Sequence, residues 1–179
     1  MTKIEDSVII DAPLEAVFGY ASDWCRWPEW FEGLTDVRPT SEISRGTGAR
    51  YTYRVRVLGL PATVETELRD FAEGHGWTGV GTRGLPHRTQ WRFETEGRST
   101  RFTYGLAYRL PPALLGAVLD ALLVRREWRG IIRRSLANLR EHFLHAASCE
   151  TAAGGGSAGS SRGTPEGTAR NGRSEDKPR

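Results

Sequence analysis

Residues 88–96 read Arg88-Thr89-Gln90-Trp91-Arg92-Phe93-Glu94-Thr95-Glu96, and after Gly97-Arg98-Ser99 the chain continues Thr100-Arg101-Phe102-Thr103-Tyr104-Gly105-Leu106-Ala107-Tyr108. Both halves alternate. Thr89, Trp91 and Phe93 stand opposite Arg88, Gln90, Arg92 and Glu94, and Phe102, Tyr104, Leu106 and Tyr108 stand opposite Arg101 and Thr103. Successive side chains of an extended chain point to opposite faces, so this pattern predicts two half-buried strands, at 88–96 and 100–110. Glu96-Gly97 supplies the turn between them.

The same period runs outward toward the N-terminus. Residues 49–58 set Tyr51, Tyr53, Val55 and Val57 against Thr52, Arg54 and Arg56, and residues 62–71 set Val64, Thr66 and Leu68 against Glu65, Glu67 and Arg69. Residues 77–82 form a short glycine-rich run, 34–40 the weakest one, and Ile4, Val8 and Ile10 mark a first strand. Turn signals at Gly46-Thr47-Gly48, Gly59-Leu60-Pro61, Gly74-His75-Gly76 and Gly84-Leu85-Pro86 separate the runs. Repeated alternation of this kind means an antiparallel sheet with one wet and one covered face. The wet face carries Arg54, Arg56, Arg69, Arg88, Arg92 and Arg101 among Glu65, Glu67, Glu94 and Glu96, a lattice that cross-strand pairing accounts for.

Helical patterns flank the strands. Asp11 is placed to cap a helix with Pro13 and Glu15 in its first turn, and Leu14, Val17 and Phe18 on its buried side. Trp24 to Phe31, aromatic and interrupted by Pro28, reads as a short helical turn packed onto the body. Pro111-Pro112 ends the last strand and opens a helical region reaching His145. Within it Leu115, Val118, Leu119 and Leu122 form one stripe, and Trp128, Ile132, Leu136, Leu139 and Phe143 another, rotated by roughly 90–100° at 3.6 residues per turn. The offset predicts a kink near Arg125-Arg126-Glu127, with the apolar segment 114–123 as a lid. Beyond residue 146, Gly154-Gly155-Gly156 and a stretch without Leu, Ile, Val or aromatic residues predict a disordered tail at 147–179, leaving one domain at 1–146.

Composition narrows the function classes. The chain has 179 residues, 38% hydrophobic, with a net charge of +3. Its basic residues are not gathered on one face, so no nucleic-acid partner is expected. No apolar run approaches the roughly 18–20 residues that span a bilayer. The start, Met1-Thr2-Lys3-Ile4-Glu5-Asp6, has no signal-peptide pattern, so a cytoplasmic location is expected. The two cysteines, Cys25 and Cys149, read as reduced thiols. No cofactor is expected. Gly79 to Gly84 matches G-x-G-x-x-G, but Leu85-Pro86 and another strand follow where a dinucleotide site needs a helix. No metal site is expected either, since His142 and His145 lack further ligands nearby in sequence.

The order strand, helix, helical turn, about six more strands and a long C-terminal helix, together with Asp11-Ala12-Pro13-Leu14-Glu15-Ala16-Val17-Phe18 and Asp23-Trp24-Cys25-Arg26-Trp27-Pro28-Glu29-Trp30, resembles the START-like superfamily. That superfamily includes polyketide cyclase/dehydrase and lipid-transport proteins and coenzyme Q-binding proteins. The resemblance implies an α+β helix-grip fold: a curved antiparallel sheet of about seven strands around a long C-terminal helix, with two short helices after the first strand. It also implies a cavity between sheet and helix for a lipid, quinone or polyketide-like molecule. The residues expected to line it are Trp27, Tyr51, Tyr53, Trp77, Trp91, Phe93, Phe102, Tyr104, Tyr108, Leu122, Arg125, Trp128 and Ile132. Tyr and Trp suit such a wall because each joins an apolar body to a polar tip.

Whether the cavity only binds or also catalyses is left open by the sequence. A polyketide aromatase/cyclase, closing rings by aldol addition and dehydration, needs an oriented polar group, and Tyr53 and Tyr104 are the candidates. Arg69 lies near where some cyclases carry a cavity arginine, yet its parity points outward. A third reading is an adaptor using the ridge Arg126, Arg129, Arg133 and Arg140 against an anionic membrane or an acidic carrier domain.

Overall fold

The computed structural model describes residues 1–57, 59–109 and 121–154. Strand β1 (Thr2–Ile10) leads into helix α1 (Leu14–Ser22), a 3-10 turn (Trp24–Arg26) and helix α2 (Trp27–Trp30). Six strands follow: β2 (Leu34–Pro39), β3 (Arg50–Val57), β4 (Leu60–Ala72), β5 (Gly76–Arg83), β6 (His87–Glu96) and β7 (Ser99–Tyr108). Helix α3 (Ala121–Gly154) closes the described chain. The strands form one antiparallel sheet in the order β1-β7-β6-β5-β4-β3-β2. This is the expected seven-stranded helix-grip architecture.

The alternation read from the sequence sets the two faces. In β6, His87, Thr89, Trp91 and Phe93 are buried while Arg88, Gln90, Arg92 and Glu94 are exposed. In β7, Phe102, Tyr104, Leu106 and Tyr108 turn to the same side. Outside, Arg54 pairs with Asp36 at 3.0 Å, Arg69 with Glu67 at 3.0 Å and Arg101 with Glu96 at 2.7 Å. Such exposed pairs contribute at most about 1 kcal/mol each. The stability of the sheet lies in its inner face.

That inner face is covered by α3, α1 and α2. Helix α3 lays Val124, Trp128, Ile131, Ile132, Ser135, Leu136 and Leu139 inward, each almost fully buried. Ser135 Oγ donates to Ile131 O at 2.7 Å and accepts from Glu32 N at 2.9 Å, and Asn138 Nδ2 donates to Trp30 O at 3.2 Å. These bonds stitch α3 to the end of α2. Trp27 Nε1 in turn donates to Ala21 O at 2.9 Å, tying α2 to α1.

Two local expectations are corrected. Asp11 does not cap α1: Pro13 occupies the N-cap with an extended backbone and no side-chain bond. The Asp11 carboxylate accepts instead from Ser99 Oγ at 3.1 Å, and Thr100 Oγ1 donates to Ala12 O at 2.8 Å, so β7 holds this corner extended. The helix also does not break at Arg125, since α3 is continuous from Ala121 to Gly154. Val124 precedes Trp128 by one turn on the same buried stripe, and no proline or glycine interrupts the backbone there. The expected lid lies mostly outside the described residues. Of its described members, Leu122 is 68% and Leu123 50% exposed. The helix passes His145 and reaches Gly154, into the segment expected as tail.

Close approach between strands depends on one glycine in particular. Gly76 has φ 133°, and a Cβ there would lie 1.9 Å from the carbonyl oxygen of Trp91. Gly97, in the β6–β7 turn, has φ 64° and open space around it. Gly76→Ala is expected to destabilise by about 3 kcal/mol or more, lowering Tm by roughly 6–12 °C in a thermal melt. Gly97→Ala should cost only about 1 kcal/mol, from the positive φ alone.

Candidate functional site

The inner face is crowded with rings. Trp77 stacks on Trp91 at 4.6 Å between centroids, and Phe93 on Phe102 at 4.5 Å. Phe18 of α1 meets Phe93 edge-on at 5.1 Å, and Trp30 meets Trp91 edge-on at 5.5 Å. These arrangements suit the ring quadrupoles. They also consume most of the space between sheet and helices.

What remains is a cavity of about 50 Å³, counted as the volume open to the centre of a water-sized sphere. That is room for about three to five waters at roughly 10–15 Å³ each. Trp27 and Phe31 from the α2 region and Trp128 from α3 form one side. Tyr53 and Val55 of β3, Val64, Thr66 and Leu68 of β4, Trp77 of β5, Thr89 and Trp91 of β6, and Tyr104 and Leu106 of β7 form the other. Leu85 and His87 close one end, and Leu34 adds to the wall. None of these lining residues is charged.

Six of the expected lining residues meet here: Trp27, Tyr53, Trp77, Trp91, Tyr104 and Trp128. Tyr51, Phe93, Phe102, Tyr108 and Ile132 are buried in the surrounding core instead. The Tyr51 hydroxyl is turned away to donate to Ser44 O. Leu122 and Arg125 are exposed on α3, away from the wall, because Val124 and Trp128 take the inward positions of that turn. Of the ridge arginines, Arg133 pairs with Asp6 at 3.0 Å. Arg69 lies outside, as its parity implied.

The polar content of the cavity joins Tyr53 to two residues that the sequence did not single out for the site, Thr66 and His87. Tyr53 Oη lies 2.8 Å from Thr66 Oγ1, which lies 2.8 Å from His87 Nε2, and His87 Nδ1 lies 2.7 Å from Leu85 O. The imidazole reaches this position because strand β5 has no side chain in its way. A Cβ on Gly81 would sit 2.5 Å from His87 Nδ1, and one on Gly79 would sit 2.3 Å from Thr89 Oγ1. Two glycines of the G-x-G-x-x-G match, Gly79 and Gly81, therefore make room for side chains of β6. The signal for His87 was available: it continues the parity of Thr89, Trp91 and Phe93 by one step.

Burial dominates the electrostatics. It pushes the Tyr104 phenol well above its usual value, with the nearby Tyr53 adding to the effect. Burial also raises Tyr53, while the bond to Thr66 acts in the opposite direction. Tyr20 and Tyr51 are each pushed up to about 12, chiefly by burial, and burial raises Tyr108 as well. His87 is held below its usual 6.5 by burial, against a smaller opposing effect of the bond to Leu85. Thr66 of β4, the Leu85 carbonyl and the Gly81 backbone surround the imidazole, and none carries a charge.

Two titrations follow. With all five tyrosines raised, tyrosinate absorbance at pH 10 should stay far below the half-ionised level of free phenols. Folded values above unfolded ones mean that this stability is full below about pH 10 and is lost as pH rises toward 12. His87 has the opposite sense: a folded value below 6.5 means that stability falls as pH drops below about 6.5. Urea melts at pH 7 and pH 5.5 should differ by less in His87→Gln than in the wild-type protein.

Comparison with known proteins places the chain. Residues 1–144 match the family model described as polyketide cyclase/dehydrase and lipid transport. Among curated protein sequences none matches. Of the similar solved structures, TTHA0849 from Thermus thermophilus has a TM-score of 0.71 at 20% identity, covering 82% of this chain and 99% of that one. A START superfamily protein from Mycobacterium smegmatis has a TM-score of 0.66 at 14% identity, covering 80% and 98%. The Zhui aromatase/cyclase from a Streptomyces species has a TM-score of 0.59 at 18% identity, covering 87% and 99%. The sheet, its covering helix and the match over residues 1–144 agree, and the chain belongs to the polyketide cyclase/dehydrase and lipid transport family, with the helix-grip fold of START proteins.

Proposed function

We propose that this protein binds a hydrophobic, ring-containing small molecule in the cavity between sheet and α3. The observation that carries the reading is the wall itself: four tryptophans, Trp27, Trp77, Trp91 and Trp128, converge with Tyr53 and Tyr104 on a space without any charged lining residue. Apolar burial supplies affinity in such a site, and a few hydroxyls fix orientation. Family membership supports the same class of ligand.

A second reading, ring closure on a poly-β-ketone, draws support from the bond chain ending at His87. A ligand proton accepted by Tyr53 Oη can be passed on as Tyr53 gives its own to Thr66 and Thr66 gives its own to His87 Nε2. Tyr104 lines the same wall, and in this reading its phenol donates to an enolate oxygen. Binding comes first, since the chemistry presupposes it.

Native mass spectrometry of the purified protein should find an apolar molecule bound. Titration with the neutral probe N-phenyl-1-naphthylamine should saturate at one site. Val64→Phe, which fills the cavity, should weaken the probe by about tenfold or more at a modest stability cost of about 1–3 kcal/mol. Non-saturable probe binding, or binding indifferent to Val64→Phe in a folded protein, would sink the reading.

A further inference from the structure

The chain Tyr53–Thr66–His87–Leu85 has a direction. The Leu85 carbonyl can only accept, so His87 Nδ1 carries the proton that meets it at 2.7 Å. In the neutral imidazole Nε2 then has only a lone pair, so Thr66 must donate to it. Thr66 has one proton, already used, and its oxygen receives the proton of Tyr53. Every proton points away from the cavity toward Leu85. What Tyr53 offers to the cavity is therefore an oxygen lone pair, though a tyrosine in an apolar pocket would ordinarily be read as a donor.

We propose that the Tyr53 oxygen, held as an acceptor by Thr66 and His87, is the polar recognition point of the cavity, and that it selects a neutral ligand carrying a hydroxyl donor, a phenol or an enol. The proposal rests on the cavity-binding reading and adds the chemistry of the ligand's polar end. Tyr104 completes the match. It lines the same cavity, is only 5% exposed, and its hydroxyl has no hydrogen-bond partner among the described residues. Tyr53 and Tyr104 stand on the same cavity wall, on β3 and β7. One ligand hydroxyl can donate to Tyr53 and accept from Tyr104, satisfying both. An ether of the same shape can only accept and leaves the Tyr53 lone pair without a donor. A carboxylate meets that lone pair with no lining cation to offset its desolvation.

The alternative arrangement, with Tyr53 donating inward, needs Thr66 or His87 to reverse. The imidazole has little freedom to do so, since both its nitrogens are engaged and its ring lies against the Gly81 backbone. Thr66→Val removes the one acceptor that the Tyr53 proton has among the described residues and leaves that proton free to point into the cavity.

Isothermal titration calorimetry of the full chain at pH 7.5 with 2-naphthol, 2-methoxynaphthalene and 2-naphthoate tests this. The wild-type protein should bind the naphthol roughly tenfold tighter than its methyl ether, the scale of one buried hydrogen-bond group left unmatched, and the naphthoate weakest of the three. Tyr53→Phe should erase the naphthol's advantage. Thr66→Val should also erase it, by strengthening the ether as Tyr53 becomes a donor. An ether bound as tightly as the naphthol by the wild-type protein, or a full naphthol advantage kept by either folded variant, would overturn the recognition point and leave the cavity intact as a binding site. No heat with any of the three would overturn the cavity reading along with it. The wild-type comparison decides even where a variant fails to fold.

Discussion

The rest of the structure depends on the need to cover one aromatic sheet face. Seven antiparallel strands present Tyr51, Trp77, Trp91, Phe93, Phe102 and Tyr108 to one side, and water cannot be left there. A single straight helix cannot follow a twisted sheet along its whole width. Helix α3 covers the β1 side, where Arg133 also reaches Asp6, and α1 and α2 fill the middle. The bonds of Ser135 and Asn138 keep these two covers from sliding apart. The cavity lies where cover and sheet diverge, between Trp128 on one side and the β3–β7 wall on the other. Ligand space in this architecture is thus a consequence of geometry before it is a consequence of any polar residue.

The parts legible in the sequence are those governed by local periodicity. Period two gave the inward parity of the runs 49–58, 62–71, 88–96 and 100–110, because parity needs no knowledge of neighbours. The stripe Trp128, Ile132, Leu136 and Leu139 was legible for the same reason at period 3.6. The predicted kink failed because two apolar stripes were assumed to need one cover. Leu122 instead faces outward, and Val124 continues the buried stripe without a break. Asp11 failed as a cap because its competitor, Ser99, is 88 residues away in the chain. Parity also could not separate core from cavity. Tyr51 and Tyr53 share one face of β3, yet one is turned to Ser44 and the other to Thr66, and only cross-strand register decides which. The bond chain itself links β3, β4 and β6 through a gap left by two glycines of β5, a coincidence of three registers that no linear pattern reveals.

A polar chain inside an apolar wall is costly unless every member is satisfied. Here Thr66 and His87 are satisfied entirely by protein groups, and Tyr53 spends its proton on them. The unspent capacity on the wall, among the described residues, includes one lone pair on Tyr53, the hydroxyls of Tyr104 and Thr89, and the indole N–H groups of Trp77 and Trp91. On the proposed reading, that residue of unmet hydrogen bonding sets this cavity apart from a packing defect. An apolar void gains little from being polar at one point, whereas a binding site gains orientation from it.

The small volume of the cavity bears on the same question. A space for a few waters is too narrow for a polycyclic ligand unless the rings around it rearrange. The stacked pair Trp77–Trp91 is built from planar side chains with two torsions each, and neither indole is locked by a hydrogen bond among the described residues. Phe93 and Phe102, by contrast, are held in the fully packed layer beneath, with Phe18 edge-on against Phe93. On the binding reading, room for a ligand would come from moving Trp91 relative to Trp27 and Tyr104, whose ring centroids lie 5.8 and 5.3 Å from it, and not from lifting the sheet from α1. A flat ligand entering there would exchange indole–indole contact for indole–ligand contact at little net loss of dispersion energy. On the proposed binding reading the aromatic wall would serve both states, its rings packed on one another without a ligand and stacked on the ligand with one.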